Sequence, residues 1–269
     1  MRIWVASSIF YLSCFIGAEF LRWIVRSFVP KPPGSLTVKL LNEFIGTLQI
    51  CTPMFDVGTI LENYGLFGVF IEITVIELAN CYMVRDCVAS PCPIVTSCYR
   101  KGKMFRRAIY VIIVQMTAAF LSSRLARLFF SIGIHPIHLE VATSTECNTD
   151  LTVALTTGAM IEGLAVFMGK AIETIASDRY TDSWQQYLVN SSFAGFICAL
   201  GINFTGLYGN PIVASACTFN CMGVSHIGHL AVYWISPIVA WYISEFVFGV
   251  DEEEELEDEK EKKEDKKND

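Results

Sequence analysis

The stretch Asn203–Ser215, NFTGLYGNPIVAS, decides how this chain folds. Asn210 is a strong helix N-cap, and Pro211 has its φ already set for the first helical position, so a helix begins here. The apolar piece it opens, Asn210 to Phe219, is far shorter than the ~20 residues that cross ~30 Å of hydrocarbon. Ser90 to Cys98 is a second short apolar piece with Pro as its second residue, Pro91. Lipid does not tolerate the bare ends of such half-helices, so they must be buried in protein or line an aqueous cavity.

The surroundings of both pieces are those of a membrane protein. Of 269 residues, 53% are hydrophobic and 17% charged, with a mean hydropathy of +0.45, whereas soluble domains carry about 25% charged residues. Span-length apolar stretches lie at about 3–25, 41–62, 65–84, 107–131, 151–176, 184–207 and 229–249. The first is an extra helix, an uncleaved anchor or a signal peptide. Its n-region, Met1 and Arg2, is short and no small-x-small cleavage site follows, which favours a retained helix.

The net charge of −7 resides in the tail, where residues 251–269 hold twelve acidic and five basic side chains and the rest of the chain balances. Such a run lacks apolar residues to bury, and reads as a disordered, solvated tail. The densest basic cluster, Arg100, Lys101, Lys103, Arg106 and Arg107, marks a cytoplasmic loop. Counting spans from it puts Arg22, Arg26, Lys31, Lys39 and the tail on that side, and the Glu140–Asp150 loop on the other. With seven spans the amino terminus is luminal or extracellular; with six, both ends are inside.

An internal repeat organises the body. Glu43 and Glu162 are ionisable groups within apolar spans, costly there and therefore informative. Ser90 follows Glu43 by 47 positions, and Asn210 follows Glu162 by 48. Acidic helix, second helix and Pro-led half-helix thus recur in order, and an odd number of spans between the copies turns the second upside down. Inverted repeats with interrupted helices point to a central transport site.

With Thr205 and Gly206 before it, Asn210-Pro211-Ile212 resembles the second Asn-Pro-Ala box of the aquaporins. Ser90-Pro91-Cys92, within CVASPCPIV, departs from the first box but is similar to the Asn-Pro-Cys of the divergent superaquaporins of intracellular membranes. NEFIGTLQIC around Glu43 and AVYWISPIVA around Trp234 extend the likeness from about Leu41 to Gly249. The fold expected is an all-α, aquaporin-like inverted repeat of six transmembrane helices plus two re-entrant half-helices, with an extra N-terminal hydrophobic segment. Its parts are an N-terminal segment at 1–35, channel repeats at 36–134 and 151–249, a luminal connecting loop at 135–150, and a cytoplasmic tail at 250–269.

The resemblance implies that the two half-helices meet amino end to amino end at the midplane. Each end carries about half a positive charge, so the pair repels protons and other cations, while the capping side chains offer donors to water. Asn210 supplies an amide; Ser90 supplies only a hydroxyl that also accepts. Counting without gaps from the boxes, the family's selectivity constriction would be formed by Phe70, Cys198, Leu207 and Val213. Val213 stands where the family usually has Arg, so this constriction is expected to be wide, apolar and uncharged. Glu43 and Glu162 would brace the half-helix loops through backbone hydrogen bonds; a proton relay is the alternative role.

The implied function is a passive channel for water and small neutral solutes, glycerol and hydrogen peroxide among them, as a homotetramer in the bilayer. A pore-closed scaffold whose tail recruits partners is the alternative, and secondary transport a third. No catalytic motif, cofactor site or nucleic-acid partner is indicated. His135, His138, His226 and His229 read as loop residues before metal ligands, and Cys147, Cys217 and Cys221 as a disulfide or metal candidate outside the apolar stretches. Lys266 and Lys267 match the dilysine retrieval signal of the endoplasmic reticulum. Asn190 and Asn203 begin glycosylation acceptor patterns inside presumed spans, and are expected to be unused.

Overall fold

A computed structural model describes residues 2–31, 35–84, 87–101, 105–144 and 146–249; the side chains of residues 100 and 101 are outside it. The charged tail with Lys266 and Lys267, and Lys103 of the basic loop, lie outside the described residues.

Among those residues the chain is helical, without strands beyond a single bridge between Asn148 and Met222. Five helical stretches are long and apolar enough to cross a membrane: Ile3–Phe28, Leu36–Met83, Phe105–Phe130, Ser183–Thr205 and His226–Phe248. The second has 48 residues, about twice what one crossing needs, and it folds back on itself. Helix α2 (Leu36–Cys51) meets Pro53, whose missing N–H and bulky ring interrupt the helix, and a 3₁₀ turn over Pro53–Asp56 leads into α3 (Val57–Met83). Within α3, Gly65 has φ 66° and ψ −165°, a conformation only glycine adopts cheaply. The two limbs run antiparallel from there: Gln49 Nε2 donates to Asn80 Oδ1 at 3.2 Å across the hairpin.

Helix α1 (Ile3–Phe28) is packed into the body. Phe10 is buried against Phe129 and Phe130, and Ala18 and Val25 pack on Val38 and Ile45 of α2. Half-helix α4 (Pro91–Lys101) follows the hairpin, then α5 (Phe105–Phe130) and a short loop helix α6 (Pro136–Thr143).

The second half repeats the plan. Helix α7 (Leu155–Arg179) has 25 residues and carries Glu162, Lys170 and Glu173. Helix α8 (Ser183–Thr205) follows, then half-helix α9 (Pro211–Thr218). Helix α10 (His226–Leu230) continues through a wide π turn at Ala231–Ile235 into α11 (Ser236–Phe248), where Pro237 lacks the N–H for a regular α turn. The packing mirrors itself: α2 lies on α5 as α7 lies on α11, α5 contacts α9 as α11 contacts α4, and α3 contacts α8 across the centre. Gly195 of α8 lets that last contact close, since a Cβ there would collide with Thr74 and the Phe70 carbonyl.

Cys147 and Cys221 form a disulfide, with Cα atoms 4.9 Å apart, linking the loop before α7 to the loop after α9; Cys217 stays free. Thr149 N to Met222 O (2.8 Å) and Met222 N to Cys147 O (2.9 Å) flank it. Disulfides form and persist in oxidising compartments.

Candidate channel

Both half-helices begin as their sequences require, and they begin beside each other. Asn210 caps α9, its Oδ1 accepting from Ile212 N at 3.0 Å. Its Nδ2 donates across the repeat to Ala89 O at 2.8 Å, the carbonyl just before Ser90. Ser90 Oγ accepts from Cys92 N at 3.4 Å, a long contact. The far ends diverge. Thr96 of α4 donates to Glu245 near the end of α11 (3.0 Å), whereas Thr218 of α9 meets His229 of α10 (3.3 Å). Sixteen helical residues, about 24 Å, separate those contacts, so the half-helices enter from opposite ends of that helix.

Two buried carboxylates hold the loops in place. Glu162, 0% exposed, accepts from Tyr208 N (3.2 Å) and Gly209 N (2.8 Å). Glu43, 6% exposed, accepts from Val88 N (3.0 Å), Ala89 N (2.7 Å) and Gln115 Nε2 (2.7 Å). Aiming successive amides at one carboxylate needs a left-handed residue: Gly209 (φ 57°) precedes Asn210, and Ala89 (φ 49°) precedes Ser90. These bonds satisfy charges that would otherwise cost several kcal/mol to bury.

A cavity of about 850 Å³ runs alongside. At one end it is bordered by Asp150, Thr152 and Gly206, beside the disulfide-linked loops; at the other by Glu77, Cys81, Lys170 and Glu173. Burial pushes the Asp150 carboxyl up, and its hydrogen bond from Tyr208 works against that shift.

Asn210, Val213, Cys198 and Leu207 border this cavity. Ser90, Pro91, Cys92, Pro211 and Ile212 do not, and Cys92 and Ile212 are buried in packing. Phe70 does not border it either. Its ring lies 6.2 Å from that of the exposed Phe67, while Ile73 reaches the cavity and packs with Val57, Cys198 and Leu207. A gap-free count is accurate to a few residues, but each helical residue turns by about 100°, enough to swap a lining position for an outward one. Glu72, Glu77 and Lys170 were passed over in the sequence, although the same signal that marked Glu43 applies to any ionisable group in a span.

The histidines are engaged in packing. His138 pairs with Asp56 (2.9 Å) and His226 with Asn220 (3.1 Å), and among the described residues no three His, Cys, Asp or Glu groups converge as metal ligands.

The architecture defines an integral membrane protein of inverted-repeat type, with two half-helices abutting beside a central cavity. No family model matches the chain. It is 25% identical over 248 residues to a putative aquaporin-10 of Caenorhabditis elegans, covering 90% of this chain and 86% of that one. It is 26% identical over 216 residues to aquaporin-11 of Milnesium tardigradum, covering 78% and 75%. Both relatives carry aquaporin names and are matched over most of this chain, which supports its assignment as a divergent aquaporin-type protein.

Proposed function

We propose that this protein is a passive channel in which the cavity carries water and other small neutral solutes, glycerol and hydrogen peroxide included, down their gradients. One observation carries the reading: the amino ends of α4 and α9 are joined by the Asn210–Ala89 bond at the cavity wall. About half a positive charge at each end disfavours cations there, while the second N–H of Asn210 remains to donate to a passing solute.

In this reading Cys198, Leu207 and Val213 form the constriction together with Ile73 in place of Phe70, a choice supported by all four bordering the cavity. Such walls replace few of the hydrogen bonds water gives up on entering, so water passes slowly relative to solutes that bring their own apolar surface. Glu43 and Glu162 act as braces, and a homotetramer of the superaquaporin type in the endoplasmic reticulum, retrieved by Lys266 and Lys267, completes the proposal.

Reconstitution tests it. Liposomes holding the purified protein should equilibrate faster than empty ones in water, glycerol or peroxide gradients, without dependence on a proton or sodium gradient. Equal rates in all three reject conduction and leave the scaffold reading. Flux that needs an ion gradient favours secondary transport.

A further inference from the structure

Behind the cavity wall lies a buried polar cluster that passive conduction does not require. It joins four elements: Tyr11 of α1, Asp56 at the end of the 3₁₀ turn, Glu72 in the returning limb of α3, and His138 of loop helix α6. The Tyr11 hydroxyl bonds Asp56 Oδ2 at 2.9 Å and also Glu72 Oε1. His138 Nε2 bonds Asp56 Oδ1 at 2.9 Å. Asp56 and His138 are wholly buried and Glu72 is 8% exposed, yet Glu72 Oε2 has no partner.

Counting protons assigns the states. A phenol has one hydrogen and can donate to one carboxylate only. With the His138 proton assigned to Nε2, Asp56 accepts from His138 at one oxygen and from Tyr11 at the other, as a charged carboxylate does. The Tyr11 hydroxyl must then accept from Glu72, which is possible only if Glu72 carries a proton. The bare Oε2 agrees, since an unpartnered buried oxygen is tolerable on a neutral acid and costly on a charged one. The other titratable groups facing the cluster are Cys14 of α1, close to Asp56, Cys198 of α8, close to Glu72, and His135, whose ring lies 6.2 Å from that of His138. The two thiols contribute no positive charge to offset a second carboxylate, and among the described residues His135 makes no contact with Glu72.

The position gives the cluster a consequence. Asp56 is followed by Val57 and Glu72 by Ile73, and those neighbours pack together with Cys198 and Leu207 in the wall of the cavity. We propose that Tyr11, Asp56, Glu72 and His138 form a latch held by a single proton on Glu72, through which α1 clamps both limbs of the hairpin and sets the width of the constriction. This rests on reading the cavity as the passage. Loss of the proton leaves two carboxylates against one hydroxyl, their repulsion parts the limbs, and Val57 and Ile73 separate with them. Alkaline conditions therefore open the channel.

The test uses the full-length protein in proteoliposomes, with glycerol flux followed while the pH is raised on both sides. Wild-type flux should rise by about threefold or more, a small change in barrier. Glu72→Gln keeps the donor to Tyr11 without the charge, and should hold flux flat at the low, neutral-pH value. Tyr11→Phe removes the clamp and should keep flux high throughout. Independently of flux, the infrared carbonyl band of a protonated carboxyl group should be present at neutral pH, fade with rising pH, and be absent from Glu72→Gln. If the band behaves so while no variant conducts, the latch stands and the passage reading fails. A pH profile shared by wild type and Glu72→Gln, or no band sensitive to that substitution, overturns the latch.

Discussion

The two half-helix loops are built alike in backbone and unlike in side chain. Each is turned by a left-handed residue, Ala89 or Gly209, and each presents two successive amides to a buried glutamate, Glu43 or Glu162. The caps differ: Asn210 makes a 3.0 Å bond and still reaches across to Ala89, whereas Ser90 makes a 3.4 Å contact. The supports differ too, since Gln115 backs Glu43 while a disulfide clips the segment beyond α9. Braces that fix the backbone are kept in both copies, while the caps differ and, of the two, only Asn210 borders the cavity.

The largest predicted effect comes from removing a brace. Glu162→Ala strands the amides of Tyr208 and Gly209 in a fully buried site, at about 3–5 kcal/mol for breaking a buried charged network. Size-exclusion profiles in mild detergent should show loss of the folded peak. Glu43→Gln, which keeps an acceptor oxygen, should remain folded. Equal behaviour of Glu162→Ala and wild type would mean that the backbone holds itself. Next is the clip present in one half only: Cys221→Ser opens a loop with a sequence separation of 74 and should cost about 2–5 kcal/mol, read as a lower melting temperature that reductant reproduces in the wild type.

What the sequence revealed of this comparison, and what it hid, follows from the range of the interactions involved. Helix lengths are local, so the interval from Glu43 to Ser90 nearly equals that from Glu162 to Asn210, and the repeat could be found by counting. The seven long limbs and the N-caps were equally local. Facing was not: Phe70 and Ile73 lie one turn apart on one helix, and the packing of α3 on α8 decides which meets the cavity. The cysteines at 147, 217 and 221 stood out as candidates, but only the fold of two distant loops chose the pair. Tyr11, in the segment of least certain purpose, drew no notice because its partners Asp56 and Glu72 are 45 and 61 positions away.

Selectivity gives a third prediction on the solute-facing side of the comparison. Val213 borders the cavity and is 4% exposed. Val213→Arg inserts a long cation there, and glycerol flux in proteoliposomes should fall about tenfold, equivalent to about 1.4 kcal/mol of barrier. Unchanged flux would remove Val213 from the constriction. Phe70→Ala, outside the cavity, should leave flux as it was, whereas Ile73→Ala should raise it.

The smallest effect probes the backbone symmetry itself. Ala89 holds φ 49° where its counterpart Gly209 holds φ 57°, and a left-handed residue with a Cβ costs roughly 1–2 kcal/mol relative to its preferred conformation. A Cβ added at Gly209 would meet only Val166 Cγ2, at 3.8 Å, so strain alone separates the two positions. Ala89→Gly should therefore change stability by about +1 kcal/mol through relief of strain, less the extra entropy glycine has when unfolded, and Gly209→Ala should lose about the same. Thermal unfolding of both variants checks the pair. Opposite shifts of similar size would show that the loops share one backbone requirement met by different residues. If Gly209→Ala proved far worse than Ala89→Gly is favourable, the Asn210 loop would be the more constrained, because its cap must also bridge to Ala89.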